Sequence, residues 1–268
     1  MPKISVLMGI YDCADTLEEA AACLQAQTLE DWECILCDDG STDGTCRVAE
    51  RLCEQDRRFR LLRNRENRGL AFTLDHCLEA ASGEYVARMD GDDRCIPERF
   101  ALQSAFLDGH PEYAIVSGWM ECFDREGTYG RICYREEPSL EHMMGGSQFC
   151  HASAMMRREA LVQVGGYRTD PWASRVEDYD LWIRMYEAGF RGYNLQQVLY
   201  QMRDDRNAAR RRKMRYRWNE SLLKWHLFRG LRLPLSCLPQ VVLPVVEGLL
   251  PLGIYQYFHK KNVGRGTK

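Results

Sequence analysis

Cys37-Asp38-Asp39-Gly40-Ser41-Thr42-Asp43-Gly44-Thr45, with its echo Met89-Asp90-Gly91-Asp92-Asp93, is the stretch around which the chain is read. Each follows a short apolar run that reads as a buried strand: Trp32-Glu33-Cys34-Ile35-Leu36-Cys37 and Tyr85-Val86-Ala87-Arg88-Met89. Each sets carboxylates where its strand should stop. Open α/β sheets bind ligands in the crevice beyond the carboxyl ends of their strands. Two acidic clusters at such ends therefore suggest one site. Carboxylates alone repel a phosphate ligand, and a divalent cation between them reverses that.

Working outward, strands and helices alternate over the first ninety residues. Lys3–Ile10 is mostly apolar, as a strand buried on both faces should be. Asp15-Thr16-Leu17-Glu18 reads as a capping box, and Leu17, Ala20, Ala21 and Leu24 follow at helical spacing. A helix with Val48, Leu52 and Cys53 inward comes after the acidic loop, then a strand at Arg60-Leu61-Leu62. Asn67-Arg68-Gly69 breaks the chain before a helix carrying Leu70, Leu74, Cys77 and Leu78. The alternation predicts an α/β fold with a doubly wound, mostly parallel sheet flanked by helices. No GxGxxG follows the first strand and no GxxxxGK[ST] occurs, which disfavours Rossmann and P-loop nucleotide sites. Pro97-Glu98-Arg99-Phe100 should start a helix, 114–137 should form strands around a turn at Asp124–Gly127, and Ala152–Met156 should be a short strand. A helix at 158–164, closed by Gly165-Gly166, leads through turn-like Thr169–Arg175 to a helix opened by Glu177-Asp178-Tyr179-Asp180.

At 268 residues the chain can bury a sizeable core. Its net charge of −3 hides an asymmetry: 203–268 holds 15 Lys/Arg against 4 Asp/Glu, leaving 1–202 strongly acidic. The opening Met1–Met8 reads as a first strand, not a secretory signal. The twelve cysteines then read as reduced residues of a cytosolic protein. Cys34 and Cys37 form the single CxxC, but on a strand they face opposite sides and no second pair follows, which argues against zinc.

The pattern resembles family 2 glycosyltransferases of the GT-A fold. The resemblance rests on Ile4–Asp12, Asp38–Thr45, Asn67-Arg68-Gly69, Asp90-Gly91-Asp92-Asp93, His151–Arg158 and Glu177–Trp182, in this order and at these separations. It implies that Gly9 to Tyr11 line the nucleotide base and that Asp39 accepts the uracil N3–H of a UDP-sugar, with Asp38 beside it. It also implies that Asp90 lies near ribose and sugar, that Asp92 holds Mn²⁺ or Mg²⁺, that Arg68 reaches the donor, and that Asp178 is the catalytic base.

The chemistry needs a cation for the departing diphosphate, a carboxylate for the acceptor's proton, and both substrates held in line. One base without a second nucleophile predicts single displacement with inversion. His151, Trp172 and Glu177 are candidate acceptor residues; their plainer readings are a core histidine, ordinary packing and a helix-dipole partner. Asp38 and Asp39 have an Asp-rich turn as their plainer reading. The rival activities are a nucleotidyltransferase acting on sugar phosphates and an inactive membrane-attached scaffold.

Residues 1–202 are expected to form the transferase domain and 203–268 a basic and apolar helical segment. Eight basic residues lie between Arg203 and Arg217, and a mostly apolar stretch runs from Leu233 to Phe258 with prolines at 234, 239, 244 and 251. Those prolines suit broken helices lying in an interface better than a straight span. The expectation is a cytoplasmic protein, peripheral on the inner membrane face, using a lipid-linked or glycan acceptor. No nucleic-acid module is recognised.

Overall fold

The computed structural model describes residues 1–204 and 213–249. The Arg210-Arg211-Arg212 run and the apolar stretch beyond 249 lie outside them. The strands are β1 (Ile4–Ile10), β2 (Trp32–Asp38), β3 (Phe59–Arg63), β4 (Tyr85–Arg88), β5 (Arg94–Cys95), β6 (Ile115–Asp124), β7 (Gly127–Ile132), β8 (Met155–Arg157) and β9 (Gly192–Arg203). The helices are α1 (Leu17–Gln25), α2 (Thr45–Gln55), α3 (Leu70–Ala80), α4 (Arg99–Gly109), α5 (Arg158–Gln163), α6 (Glu177–Glu187), α7 (Met214–Gly230) and α8 (Leu238–Leu249).

The strands join one sheet in the order β3-β2-β1-β4-β8-β6-β9-β5, with β7 paired to β6. β3, β2, β1, β4, β6 and β9 run one way; β8, β5 and β7 run against them. Both faces are covered, as the unbroken apolar run of β1 requires. Ile4, Val6, Met8 and Ile10 point to one core with α1, α2 and α4, while Leu7 joins the other with α3, α5 and α6. Each fully buried aliphatic side chain contributes about 2 kcal/mol of transfer free energy.

Three features differ from expectation. The capping box does not form: Thr16 takes the position before α1 without a side-chain cap, and its hydroxyl donates to the carbonyls of Cys13 and Gly91 (3.3 and 3.0 Å). Ala152 and Ser153 belong to a 3₁₀ turn, so the strand there is confined to Met155–Arg157. β9 has no counterpart in the sequence reading. Its register against β6 jumps from Gly118↔Leu195 to Trp119↔Val198, so Gln196 and Gln197 interrupt the alternation a strand should show.

α7 and α8 pack on the second core through Leu223, Leu227 and Val241, beside Met143, Val176, Tyr179 and Trp182. Asn219 is buried and donates Nδ2–H to the Ser174 carbonyl at 3.0 Å.

Candidate active site

The site is assembled where β1, β2 and β4 end. Asp39 N–H donates to the Ile10 carbonyl at 2.9 Å, and beyond it the two loops are stapled together. Thr42 N–H donates to Asp12 Oδ1 (2.8 Å), Cys13 N–H to Thr45 Oγ1 (2.8 Å) and Ala14 N–H to Asp43 Oδ2 (3.2 Å). Asp43 is therefore a turn residue of this clamp. Gly40 has φ +75°, and a Cβ there would lie 3.0 Å from the Asn67 nitrogen, so both backbone angle and space demand glycine.

Asp38 folds back on its own turn, accepting from Ser41 N–H and Oγ–H at 3.2 and 2.5 Å. Asp39 is buried and accepts three bonds: from Asn64 Nδ2–H (2.8 Å) and Arg68 N–H (2.9 Å) on one oxygen, and from Gly69 N–H (2.8 Å) on the other. A carboxylate offers about four lone-pair positions, so one remains for a ligand N–H. Arg68 meets Asp39 through its backbone, while its guanidinium lies over the Phe72 ring at 4.3 Å. Gly9 packs beneath Thr73 and Leu70, and Tyr11 stands 48% exposed at the mouth.

The second acidic cluster is locked to the first. The Cβ position of Gly91 lies 3.0 Å from Cys13 Sγ and 3.1 Å from Ile10 Cγ2. Carboxylate oxygens of Asp90, Asp92 and Asp93 lie within 4.8 Å of one another, and no other such group of metal-ligating side chains occurs among the described residues. β9 fixes the turn from behind: Tyr200 Oη accepts Asp90 N–H (3.1 Å), Asp93 Oδ1 accepts Arg203 N–H (2.7 Å), and Arg203 Nε donates to the Asp92 carbonyl (2.8 Å). Burial and then Asp90 raise the Asp92 carboxyl. Burial, Asp90 and Asp92 together push Asp93 up to about 8. Three crowded carboxylates are costly without positive charge, and hard oxygen donors suit Mg²⁺ or Mn²⁺.

Arg88, read in the sequence as one residue of a buried strand, is the main site residue that reading missed. Its side chain is 4% exposed and paired with Asp90, and its Nε has no partner among the described residues. Its charge also favours ionisation of Asp92 and Asp178. A charged residue inside an otherwise apolar strand was the available signal, because such a group is buried only when paired.

Asp178 opens α6 and accepts from Ser147 Oγ–H at 3.1 Å. Burial raises its carboxyl, against the helix-start N–H, Ser147 and Arg88. Glu177 is buried and raised by burial and by Asp178. His151 pairs through Nε2 with Tyr167 Oη at 2.9 Å; burial and Arg88 push it well below the ordinary histidine range, so it stays neutral. Trp172 is half-buried with the Arg168 guanidinium over its ring at 4.8 Å. Asp180 is bound to Arg184 at 2.7 Å and serves packing. All twelve cysteines are free thiols, with Cys34 and Cys37 buried.

The fold is that of the GT-A class. Staphylococcus aureus TarS 1-349, in complex with UDP-GlcNAc, superposes with a TM-score of 0.69 at 18% identity, covering 92% of this chain and 72% of that one. The mannosyltransferase PcManGT from Pyrobaculum calidifontis, in complex with GDP-Man and Mn²⁺, gives 0.65 at 20% identity, covering 97% and 80%. These likenesses concern the fold. Residues 5–165 match the family model described as glycosyl transferase family 2. The chain is 42% identical to the Bacillus subtilis (strain 168) protein named "Putative glycosyltransferase EpsE", over 98% of this chain and 95% of that one. It is 28% identical to the Escherichia coli UDP-Gal:alpha-D-GlcNAc-diphosphoundecaprenol beta-1,3-galactosyltransferase, over 98% of each. The chain belongs to glycosyl transferase family 2.

Proposed function

We propose that this glycosyltransferase moves a hexosyl or N-acetylhexosaminyl group from a UDP-sugar to a hydroxyl of a glycan or lipid-linked acceptor, with inversion, using Mn²⁺ or Mg²⁺. The observation that carries the reading is the trio Asp90, Asp92 and Asp93, crowded within 4.8 Å, in which Arg88 pairs with Asp90 while Asp92 and Asp93 stay raised. Asp92 would hold the cation, with Asp90 and Asp93 around it; when bound, the cation supplies positive charge against the leaving diphosphate. The spare lone pair of Asp39 takes the base N–H, and Gly9 and Tyr11 wall the base. Asp178 takes the acceptor's proton as its oxygen attacks, and Ser147 fixes the carboxylate's orientation. With Asp178 as base and no other carboxylate assigned as nucleophile, a single displacement is favoured. Residues 1–202 carry these groups, Arg203 at the end of β9 steadies the Asp92–Asp93 turn, and α7 and α8 form a helical appendage of a protein lying peripherally on the inner membrane face. The UDP-GlcNAc complex of the TarS neighbour and the diphosphoundecaprenol acceptor in the Escherichia coli relative's name support donor and acceptor classes.

A nucleotidyltransferase would use a similar strand-end cation but release pyrophosphate, and Asp178 would have no task in it. Calorimetry of UDP binding tests the assignment. Binding should need Mg²⁺ or Mn²⁺ and weaken at least tenfold, about 1.4 kcal/mol, in Asp92→Ala. Undiminished affinity in EDTA would sink the cation assignment, and release of pyrophosphate instead of UDP would sink the transferase chemistry.

A further inference from the structure

α7 is an inside-out helix. Its inward residues include Asn219, Ser221 and Lys224, all buried, alongside Leu223 and Leu227. Its outward stripe is Trp218 (58% exposed), Leu222 (41%) and Trp225 (44%), spaced four and three residues apart on one face. α8 runs beside it, with the Gly248 Cβ position 2.6 Å from Met214 Sδ, so the two helices form an antiparallel hairpin. α8 adds exposed Leu238, Val242, Leu243, Val246 and Leu249. A soluble surface seldom spends two tryptophans and a row of aliphatics on water.

The charges sort the same way. The acidic side chains of the described hairpin are Glu220 and Glu247; Glu220 pairs with Arg217 and Lys224, both at 3.1 Å, and Glu247 faces Arg217 at 3.8 Å. The exposed charges left over are Lys213, Arg215, Arg229 and Arg232. Arg215 and Arg229 stand one helical step before and after the Trp218–Trp225 stripe. Long basic side chains flanking an apolar stripe can reach lipid phosphates while their stems cover acyl chains. Tryptophan favours that boundary because one edge is apolar and the other carries an N–H. No helix among the described residues is long and apolar enough to cross a membrane, so such a face would lie in the plane of the surface.

We infer that the outer face of the α7–α8 hairpin, centred on Trp218, Leu222 and Trp225 and flanked by Arg215 and Arg229, docks on an anionic phospholipid surface. The same hairpin buttresses the acceptor end of the site. Asn219 holds Ser174, four residues before Asp178, and Leu223 shares a core with Met143 and Tyr179, whose hydroxyl donates to the Met143 carbonyl. A bilayer on the outer face thus stands one helix away from the Asp178 segment, the side from which a lipid-linked hydroxyl would arrive. Only that last step rests on Asp178 being the base.

The test is sedimentation of the full-length protein with phosphatidylglycerol-containing vesicles and with phosphatidylcholine vesicles. Wild type should prefer the anionic vesicles and lose binding as salt rises. The triple variant Trp218→Ser/Leu222→Ser/Trp225→Ser should bind roughly tenfold more weakly or worse, with an unchanged circular dichroism spectrum, since these side chains are exposed. Brominated acyl chains should quench wild-type tryptophan fluorescence and quench Trp218→Phe/Trp225→Phe much less. Equal binding by the triple variant overturns the inference and leaves membrane contact to basic charge alone. A wild-type dimer in sedimentation velocity that the substitutions dissociate also overturns it, because a second copy then covers the face. Vesicle binding is read without donor or acceptor, so a failed transfer assay would count against Asp178 and not against this surface.

Discussion

The loops after β1 and β2 and the segment around Asp178 contribute carboxylates to one enzyme by opposite means. In the first region side chains are held by donors. There bonds from Thr45 and Ala14 outweigh burial at Asp43 and keep it below its ordinary value; away from the site, at the start of β2 and the end of α2, donors likewise hold Glu33 down through Ser5 and Ser82 and pull Asp56 down to about 2 through Arg58. Around Asp178 burial wins, and Glu177 and Asp178 are both raised. A carboxylate that positions a nucleotide gains from many donors; one that must take a proton needs affinity for it. The difference separates carboxylates fixed by donors from carboxylates to which burial gives a higher proton affinity.

The sharpest way to break that contrast is Asp178→Asn. It preserves shape and the Ser147 contact but cannot accept a proton. Transfer should fall by roughly 10²–10⁴-fold, the usual range for a lost general base, while donor affinity measured on the same preparation holds. Near-wild-type transfer by Asp178→Asn, with loss in Glu177→Gln, would reverse the assignment of the two neighbours. Next in size comes Asp39→Asn. An amide NH₂ then faces either the donors of Asn64 and Arg68 or the Gly69 N–H. The expected cost is about 2 kcal/mol of stability, with weaker UDP binding, and a thermal melt with and without UDP reads both. Unchanged stability would mean that the loop is held elsewhere.

The smallest effect is a pH dependence. Asp56 is lowered in the fold, so its contribution is present above the ordinary carboxylate range near pH 4 and is lost as pH falls toward 2. Its pairing with Arg58 is partly exposed, which reduces the contribution to about 1 kcal/mol. Glu177 and Asp178 run the other way: their raised values mean that protonation on acidification favours the fold. Asp56→Asn should therefore narrow the gap in melting temperature between pH 7 and pH 3. A gap equal to wild type would show that Arg58 does not discriminate between the charged and neutral forms.

The parallel half of the sheet was legible because each strand, turn and helix announces itself within a dozen residues. Apolar runs, Asp-Gly turns and helical spacing at Leu17–Leu24 and Leu70–Leu78 are all local. What sequence reading missed depends on partners far along the chain. Arg88 looks out of place until Asp90 pairs with it, and Ser147 is an unremarked loop serine until α6 brings Asp178 to it. β9 was hidden by the offset at Gln196-Gln197; a helical tail was expected, but which face of α7 packs was not legible, because buried Asn219 and Lys224 with exposed Trp218 and Trp225 reverse the usual amphipathic pattern. Thr16 shows a local signal overruled: its hydroxyl, positioned to cap α1, holds Gly91 across 75 residues of chain.

That contact, with the Cβ position of Gly91 only 3.1 Å from Ile10 Cγ2, makes the first loop and the second acidic turn a single interlocking part. Exchange of segments between relatives must respect it. A nucleotide preference transplanted by swapping residues 9–16 alone would seat the foreign loop on a turn shaped for Cys13 and Thr16. Moved together with 38–45 and 90–93, the same residues bring their own floor. These three separated peptides therefore form one packing unit, which a segment exchange has to move together to keep its contacts.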